Sequence, residues 1–419
     1  MTTDAGTNWS GNLAYSAAEL HSPQSVDELR RLVAESRRVR ALGTRHSFNR
    51  IADTEHTLIS TAGIVAEPLI DREALTVTVA AGIRYGDLAA ILEREGYALA
   101  NLASLPHISV GGATATATHG SGLGNGNLST AVTALELVLA NGDLLTIGRD
   151  DPDFAGAVVH LGALGVATRL TLAIEPSFEV EQTVFERLPS KSLVGGFDQV
   201  AGAAYSVSLF TTWQDPDVID QVWVKRRPDR DAPLPRELVG AVRATEARHP
   251  LPGIAAVNCT TQFGEPGRWL DRLPHFRLDF TPSNGEELQS EYLLPRRHAA
   301  AALEAVGTLA DRVAPLLFVS EVRTVAADEL WLSPSYQTDA VCLHFTWKPR
   351  QTEVEALLPD LEAVLAPFSP RPHWGKLFTA GDLAERYPRS ADFRALAARL
   401  DPRRTFVNDF VARHILPEA

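Results

Sequence analysis

Two stretches of small and hydroxyl-bearing residues constrain this chain more than anything else in it. The first is Arg40-Ala41-Leu42-Gly43-Thr44-Arg45-His46-Ser47-Phe48-Asn49. The second runs from Ala103-Ser104-Leu105-Pro106-His107 through Gly111-Gly112-Ala113-Thr114-Ala115-Thr116 to His119-Gly120-Ser121-Gly122. Glycine permits close backbone approach and positive φ, so main-chain N–H groups there can turn toward an anion. Val39 to Gly43 reads as a strand entering a turn, which carries such groups to a sheet edge. The two stretches are therefore expected to meet at one phosphate-bearing cofactor. Neither G-x-G-x-x-G nor G-x-x-x-x-G-K-[ST] occurs in the chain, which argues against a Rossmann dinucleotide site or a P-loop.

The bulk properties narrow the partners. A chain of 419 residues can hold two medium domains or one large one. The formal net charge of −13 disfavours nucleic acid and anionic membranes and suits a neutral substrate. No apolar stretch approaches the length of a membrane span. Met1-Thr2-Thr3-Asp4-Ala5-Gly6 lacks a basic region followed by an apolar core, so no signal peptide is expected and the reading is a cytoplasmic, monomeric protein. Cys259 and Cys342, far apart and without metal-like spacing, read as buried free thiols. His107 and His119 lack a cysteine or carboxylate partner at suitable spacing, so no metal is expected.

Periodicity gives an α+β alternation in the first part. Ser25-x-x-Glu28 is a capping box opening a helix with Val26, Leu29, Leu32 and Val33 on its apolar face. Leu75 to Val79 reads as a strand, and Asp87 to Glu95 as a helix stopped by Gly96. Leu135 to Leu139, Asn141-Gly142 and Leu144 to Ile147 predict a hairpin, and Arg169 to Ile174 a further strand. After Pro176 the texture changes, placing a domain boundary near residue 177. Strands over Val207–Thr212 and Gln221–Lys225 precede a polar loop at Arg226–Arg236. Helical patterns over Arg297–Val313 and Glu353–Leu365 predict a sheet covered by helices on one side, and Asp392–Leu400 a last helix.

Two pairs of polar residues stand out in the second part. Glu321 and Arg323 are two apart, as are His344 and Thr346, so on strands each pair emerges from one face. Leu316-Leu317-Phe318 precedes one pair and Val341-Cys342-Leu343 the other. Such a set suits a pocket that grips neighbouring hydroxyls, and equally a surface-facing strand edge or an internal ion pair. Gln289 is a further pocket candidate or ordinary strand packing. Trp374 suits stacking on a sugar chain or a place in the core.

Leu42-Gly43-Thr44-Arg45-His46-Ser47-Phe48-Asn49 resembles the flavin-attachment loop of the vanillyl-alcohol-oxidase family. Adding Asn101 to Val110, Thr118 to Gly122, Ala204 to Phe210, Glu287 to Tyr292, Arg323 to Asp328 and Arg371 to Lys376, the chain resembles the alditol oxidases within that family. The resemblance implies the two-domain vanillyl-alcohol-oxidase fold with a PCMH-type FAD-binding domain. That domain would span residues 1–176 and be completed by 377–419, with a sheet-plus-helices substrate domain at 177–376. It implies FAD, attached covalently through His46; from the residues alone, His46 reads equally as a histidine bonded to its own loop. Ala41, Leu42, Gly43, Thr44, Arg45, His46, Ser47, Ser104, Ser109, Gly112, Ala113, Thr114, Ala115, His119 and Val166 would contact the flavin. Relatives carry Gly where this chain has Arg45, whose guanidinium suits a pyrophosphate but whose side chain disfavours positive φ. Ala103, beside Ser104, falls where family members control oxygen access by side-chain bulk.

The reaction the resemblance implies is oxidation of the terminal primary alcohol of an alditol such as xylitol or sorbitol to the aldose, with O2 reduced to H2O2. An alcohol is far too weak an acid at neutral pH, so cations or a base must stabilise the developing alkoxide. By resemblance Lys376 and Arg323 supply the charge and His344 accepts the proton. Ser104, Glu321, Arg323, Thr346 and Gln289 recognise hydroxyls, and Glu321 joins the catalytic set. An aldonolactone oxidase, a dehydrogenase using another acceptor, and a non-catalytic polyol- or nucleotide-binding module are the rival readings.

Overall fold

Strand pairing divides the chain into sheets of different construction. The structure, a computed structural model, describes residues 5–279, 286–381 and 383–417; Met1–Asp4, at the start of the stretch read above for a signal peptide, falls outside them. Up to Ala173 the strands form two larger sheets, and Tyr97–Ala98 pairs separately with Glu175–Pro176. Glu19–His21, Thr57–Ser60 and Val39–Leu42 form a parallel one with the middle strand central. Leu69–Asp71, Thr76–Ala80, Val166–Ala173, Val132–Val138 and Leu144–Gly148 lie in that order in an antiparallel one. From Glu179 to Pro372 the strands join a single ten-stranded sheet.

Local chemistry explains most boundaries. Ser25 Oγ accepts the Glu28 N–H and opens the helix Val26–Glu35, whose Leu29 and Val33 are buried. The Glu28 carboxylate reaches back one residue beyond the cap, to the Gln24 N–H at 2.8 Å. Gly142 turns the predicted hairpin at φ +84°, where its bare Cα passes Arg30 O of that helix. The second helix, Tyr85–Arg94, starts two residues before the expected Asp87 and stops at Gly96, φ +82°. The pattern over Arg297–Val313 is not one helix: Ala299–Gly307 and Ala310–Val313 are separated at Thr308. Gly307 and the Thr308 hydroxyl, which bonds Ala305 O at 2.6 Å, compete with helix continuation there. Cys259 and Cys342 are buried free thiols, and no helix of the described residues is long and apolar enough to cross a membrane.

Three features position the site. First, the central strands of the large sheet run in the order Ser206–Thr211, Leu317–Val325, Ala340–Trp347, Leu288–Pro295. One face, with Val322, Leu343, Phe345, Leu288 and Leu294, packs on the helices Ala299–Gly307 and Gln351–Leu365. Strand alternation therefore gives Glu321, Arg323, His344, Gln289 and Glu291 to the opposite face. Second, the chain's end returns to the parallel sheet: Val39 N–H donates to Thr405 O at 2.8 Å, and Phe406 packs among Val39, Ile59 and Val166. Third, Trp331, Leu332 and Tyr336 cross back into the core of the first part, together with Trp374. Trp374 is core rather than a sugar platform: it is fully buried, stacks on Tyr387 at 5.0 Å and donates to Leu332 O.

Candidate active site

The two small-residue stretches do meet. Ser109 N–H donates to Thr44 Oγ1 at 3.1 Å, and a Cβ on Gly43 would lie 2.7 Å from Ser109 Oγ and 3.9 Å from Gly112 Cα. Both stretches line one cavity, and the polar face of the large sheet closes it. Ala41, Leu42, Gly43, Thr44, Arg45, His46 and Ser47 line it from the first stretch. Ala103, Ser104, Ser109, Gly112, Ala113, Ala115 and His119 do so from the second. Gln289, Glu321, Arg323, His344 and Lys376 complete the expected set.

Three expected residues lie off the cavity wall. Thr114 turns its hydroxyl onto Val110 O one helical turn back, at 2.9 Å. Val166 faces the core among Leu29, Val39 and Phe406, and strand alternation gives the cavity Ala167 instead. Thr346 shares the face of His344 but sits one row further along, opposite Gln289 and Val319. Arg45 lines the wall in a left-handed conformation, φ +64°. It donates to Ala5 O and Thr7 O and lies 5.4 Å from the Tyr15 ring, which ties its side chain to the N-terminal segment.

The first stretch also builds the second part's cation. Phe48 N–H donates to Gly375 O, and the Asn49 amide to Trp374 O and Lys376 O at 2.8 and 2.7 Å. Lys376 is thereby held with its ammonium 4.9 Å from the Phe48 ring and bonded to Gln289 Oε1. Burial pulls the Lys376 ammonium down to about 8, while Glu291 resists that shift. His344 Nε2 shares the same Gln289 oxygen at 3.2 Å, which leaves His344 Nδ1 buried without a partner. Burial lowers the His344 imidazole to about 3, so it is neutral.

The sheet register explains the charge arrangement. Glu321, His344 and Glu291 lie directly across three neighbouring strands, and Arg323 is opposite Cys342 one row on. Arg323 donates to Glu291 Oε1 at 2.6 Å, and its Nε lies 3.6 Å from Glu321 Oε2. Burial works to raise the Glu291 carboxyl, but Arg323 and His119 outweigh it and hold it well below the usual range. The same opposition, with Arg323 and His275 as the lowering neighbours, keeps Glu321 ionised. Arg323 also reaches Ser104 Oγ and His119 O, both at 3.4 Å, and so joins the sheet to the second stretch.

Several participants escaped the sequence reading. Glu291 repeats the two-residue spacing, with Gln289, that revealed the other pairs. His373, on the segment before Lys376, lines the cavity 6.0 Å from the His119 ring. Arg40 and His160 line it as well. Arg40 is buried and donates to Leu161 O, Gly162 O, Ile51 O and Phe406 O, with its Nε unpartnered. His107 Nε2 donates to Leu278 O at 2.9 Å, away from His119. The ligand-type atoms that do converge are those of His119, Glu291 and Cys342, within 4.8 Å of one another. Arg323 already places a cation on that carboxylate.

The cavity suits a flavin on structural grounds. His46 Nδ1 is buried without a partner, and Trp9 stacks on the ring at 5.3 Å. Burial, with His107 and Lys376 nearby, lowers the His46 imidazole to about 4, so it is neutral and one ring nitrogen carries a lone pair. Gly43 and Gly112 leave open backbone where any side chain would fill the space.

Comparison with known proteins agrees. Residues 17–148 match the FAD binding domain family, and residues 283–414 the D-arabinono-1,4-lactone oxidase family. The chain is 52% identical to an alditol oxidase of Streptomyces sp., over 97% of this chain and 98% of that one. The chain belongs to the alditol oxidase family of FAD-binding flavoproteins. It is also 30% identical to the L-gulono-1,4-lactone dehydrogenase of Mycobacterium tuberculosis, over 98% and 99% of the two chains. Its fold is that of the cholesterol oxidase of B. sterolicum, with a TM-score of 0.78 at 18% identity over 98% and 96% of the chains. The vanillyl-alcohol-oxidase architecture expected from the sequence is thus the one this alditol oxidase relative adopts.

Proposed function

We propose that the protein oxidises the terminal primary alcohol of alditols such as xylitol or sorbitol to the aldose. The observation that carries this reading is the row Glu321–His344–Glu291, flanked by Arg323 and Lys376 and facing the small-residue stretches across one cavity. Bound FAD supplies a two-electron acceptor that O2 reoxidises with release of H2O2. Arg323 and Lys376 place two cations where an alkoxide would develop, which lowers the barrier to losing the hydroxyl proton. His344, neutral with Nδ1 unpartnered, is the proton acceptor. A base titrating at about 3 is weak, so the two cations carry most of the stabilisation. Glu321, Gln289 and Ser104 receive the neighbouring hydroxyls.

His46 is the covalent attachment point in this reading, supported by its unpartnered Nδ1 and its neutrality. Residues 1–176 with 377–419 act as the flavin-binding domain and 177–376 as the substrate domain. The protein works as a cytoplasmic monomer. A lactone substrate is favoured by the match over residues 283–414 and by the 30%-identical L-gulono-1,4-lactone dehydrogenase, and the 52% identity to an alditol oxidase outweighs both. Anaerobic mixing with xylitol is expected to bleach the flavin, and L-gulono-1,4-lactone to leave it oxidised; the reverse pattern would sink the alditol reading. After acid precipitation, yellow colour is expected in the pellet for the wild type and in the supernatant for His46→Ala. Colour in the wild-type supernatant would remove the covalent link.

A further inference from the structure

Behind Glu321, on the side away from the cavity, lies a buried pair that the reaction above does not use. Lys225, on the strand Val218–Arg226, is only 1% exposed, and His275, between Leu273 and Phe276, 4%. Neither lines the cavity. His275 Nε2 lies 2.8 Å from Glu321 Oε1, and His275 Nδ1 lies 3.1 Å from Lys225 Nζ, which also donates to Leu273 O. The ring is held edge-on between Phe210 and Trp223, at 5.4 and 5.2 Å. A fully buried lysine is rare, and here no carboxylate touches it directly.

Both neighbours dictate one tautomer. The Lys225 Nζ donors reach Leu273 O and His275 Nδ1, so a lone pair on His275 Nδ1 matches them whether the group is an ammonium or, with burial pulling it down to about 7, a neutral amine. An ionised carboxylate has acceptors only, so Glu321 requires a proton on His275 Nε2. The two demands coincide in the neutral Nε2–H imidazole. Glu321 Oε1 is then occupied, and Oε2 is the oxygen left to receive a substrate hydroxyl. We propose that His275, locked in the Nε2–H form by Lys225, is a positioning residue that orients Glu321 for alcohol recognition. The proposal rests on the alditol reading given above.

Other groups bear on the protonation of this pair. Ser208 Oγ lies 3.5 Å from His275 Nε2, and burial pulls the Lys225 ammonium down to about 7, with Glu321 and Cys259 opposing and Arg323 adding to the shift. Burial holds the His275 imidazole down to about 4, with Lys225 as the next largest contributor and Glu321 opposing. Removing the lysine charge therefore raises the His275 imidazole from that value, with burial still opposing its protonation.

The test compares His275→Ala, His275→Gln and Lys225→Met as holoenzymes, by anaerobic flavin reduction over a range of xylitol concentrations. A hydrogen bond to a charged group sets the scale: His275→Ala is expected to weaken apparent xylitol binding about ten- to hundredfold, with a smaller change in limiting rate. His275→Gln, whose amide restores a donor near Nε2, is expected to recover most of the loss. Lys225→Met is expected to raise the pH at which His275 protonates, followed by its nitrogen-15 shifts. Equal defects in the Ala and Gln variants, or an unmoved His275 protonation in Lys225→Met, would overturn the proposal. Nitrogen-15 shifts of His275 in the oxidised holoenzyme, assigned by difference from His275→Gln, read the tautomer without any substrate. A bare Nδ1 supports the lock and a protonated Nδ1 refutes it. A wild-type flavin that xylitol leaves oxidised would instead refute the alditol reading, with the nitrogen shifts still deciding the tautomer.

Discussion

The cavity has two walls made on opposite plans. On the flavin side, Gly43, Ser109 and Gly112 contribute almost no side chain, and shape comes from how closely two backbones approach. On the substrate side, Glu321, His344, Glu291 and Arg323 contribute buried charges held in register by three strands. The first wall excludes bulk, and the second has to neutralise itself. Arg323 between Glu291 and Glu321 does the neutralising, because a buried charge without a partner is strongly destabilising.

That contrast can be broken from either side. The largest expected effect is on the charged wall: Lys376→Ala should keep bound flavin and slow its reduction by xylitol about 10²- to 10³-fold, the scale of losing one preorganised charge donor. Stopped-flow absorbance checks this, and an unchanged rate would remove Lys376 from the reaction. On the small-residue wall, Gly43→Val should leave the strands intact and lower flavin content, since its Cβ falls 2.7 Å from Ser109 Oγ. The flavin-to-protein absorbance ratio reads that loss, and full occupancy would contradict the close-approach account. A third effect sharpens the difference in charge. Because Lys376 is pulled down to about 8, the useful ammonium is lost as pH rises through that value, and reduction should fall about tenfold per pH unit above it. Lys376→Arg should abolish that alkaline limb whatever its absolute rate. The smallest effect belongs to Arg45→Gly. Relief of the left-handed backbone at φ +64° is worth about 1 kcal/mol and is offset by lost bonds to Ala5 and Thr7, so Tm should move only a few degrees.

The same contrast explains what could be read beforehand. The small-residue wall is contiguous in sequence, so Gly43, His46 and Ser109 announced themselves as a motif. The pairs Glu321/Arg323 and His344/Thr346 were legible through strand alternation, and Glu291 was available by the same rule but needed the third strand's register to matter. Thr346 shows the limit of that rule, since a shared face does not fix the row. His275 and Lys225 had no local signal: one sits in an irregular segment and the other in a strand where lysine ordinarily points to water. Their meeting with Glu321 exists only after long-range pairing. Trp9 and Tyr15 reach the cavity for a similar reason, brought there through the contact of Asn8 and Trp9 with Arg45 and Ser47.

Arg40 carries a last consequence, in time rather than space. Its guanidinium is anchored on carbonyls at Ile51, Leu161, Gly162 and Phe406, and Val39 bonds to Thr405. A ribosome delivers the first three long before the fourth. The flavin wall thus stays open on one side until Thr405 and Phe406 have emerged. A variant truncated just short of Thr405 should lose flavin even though every residue of both small-residue stretches is present.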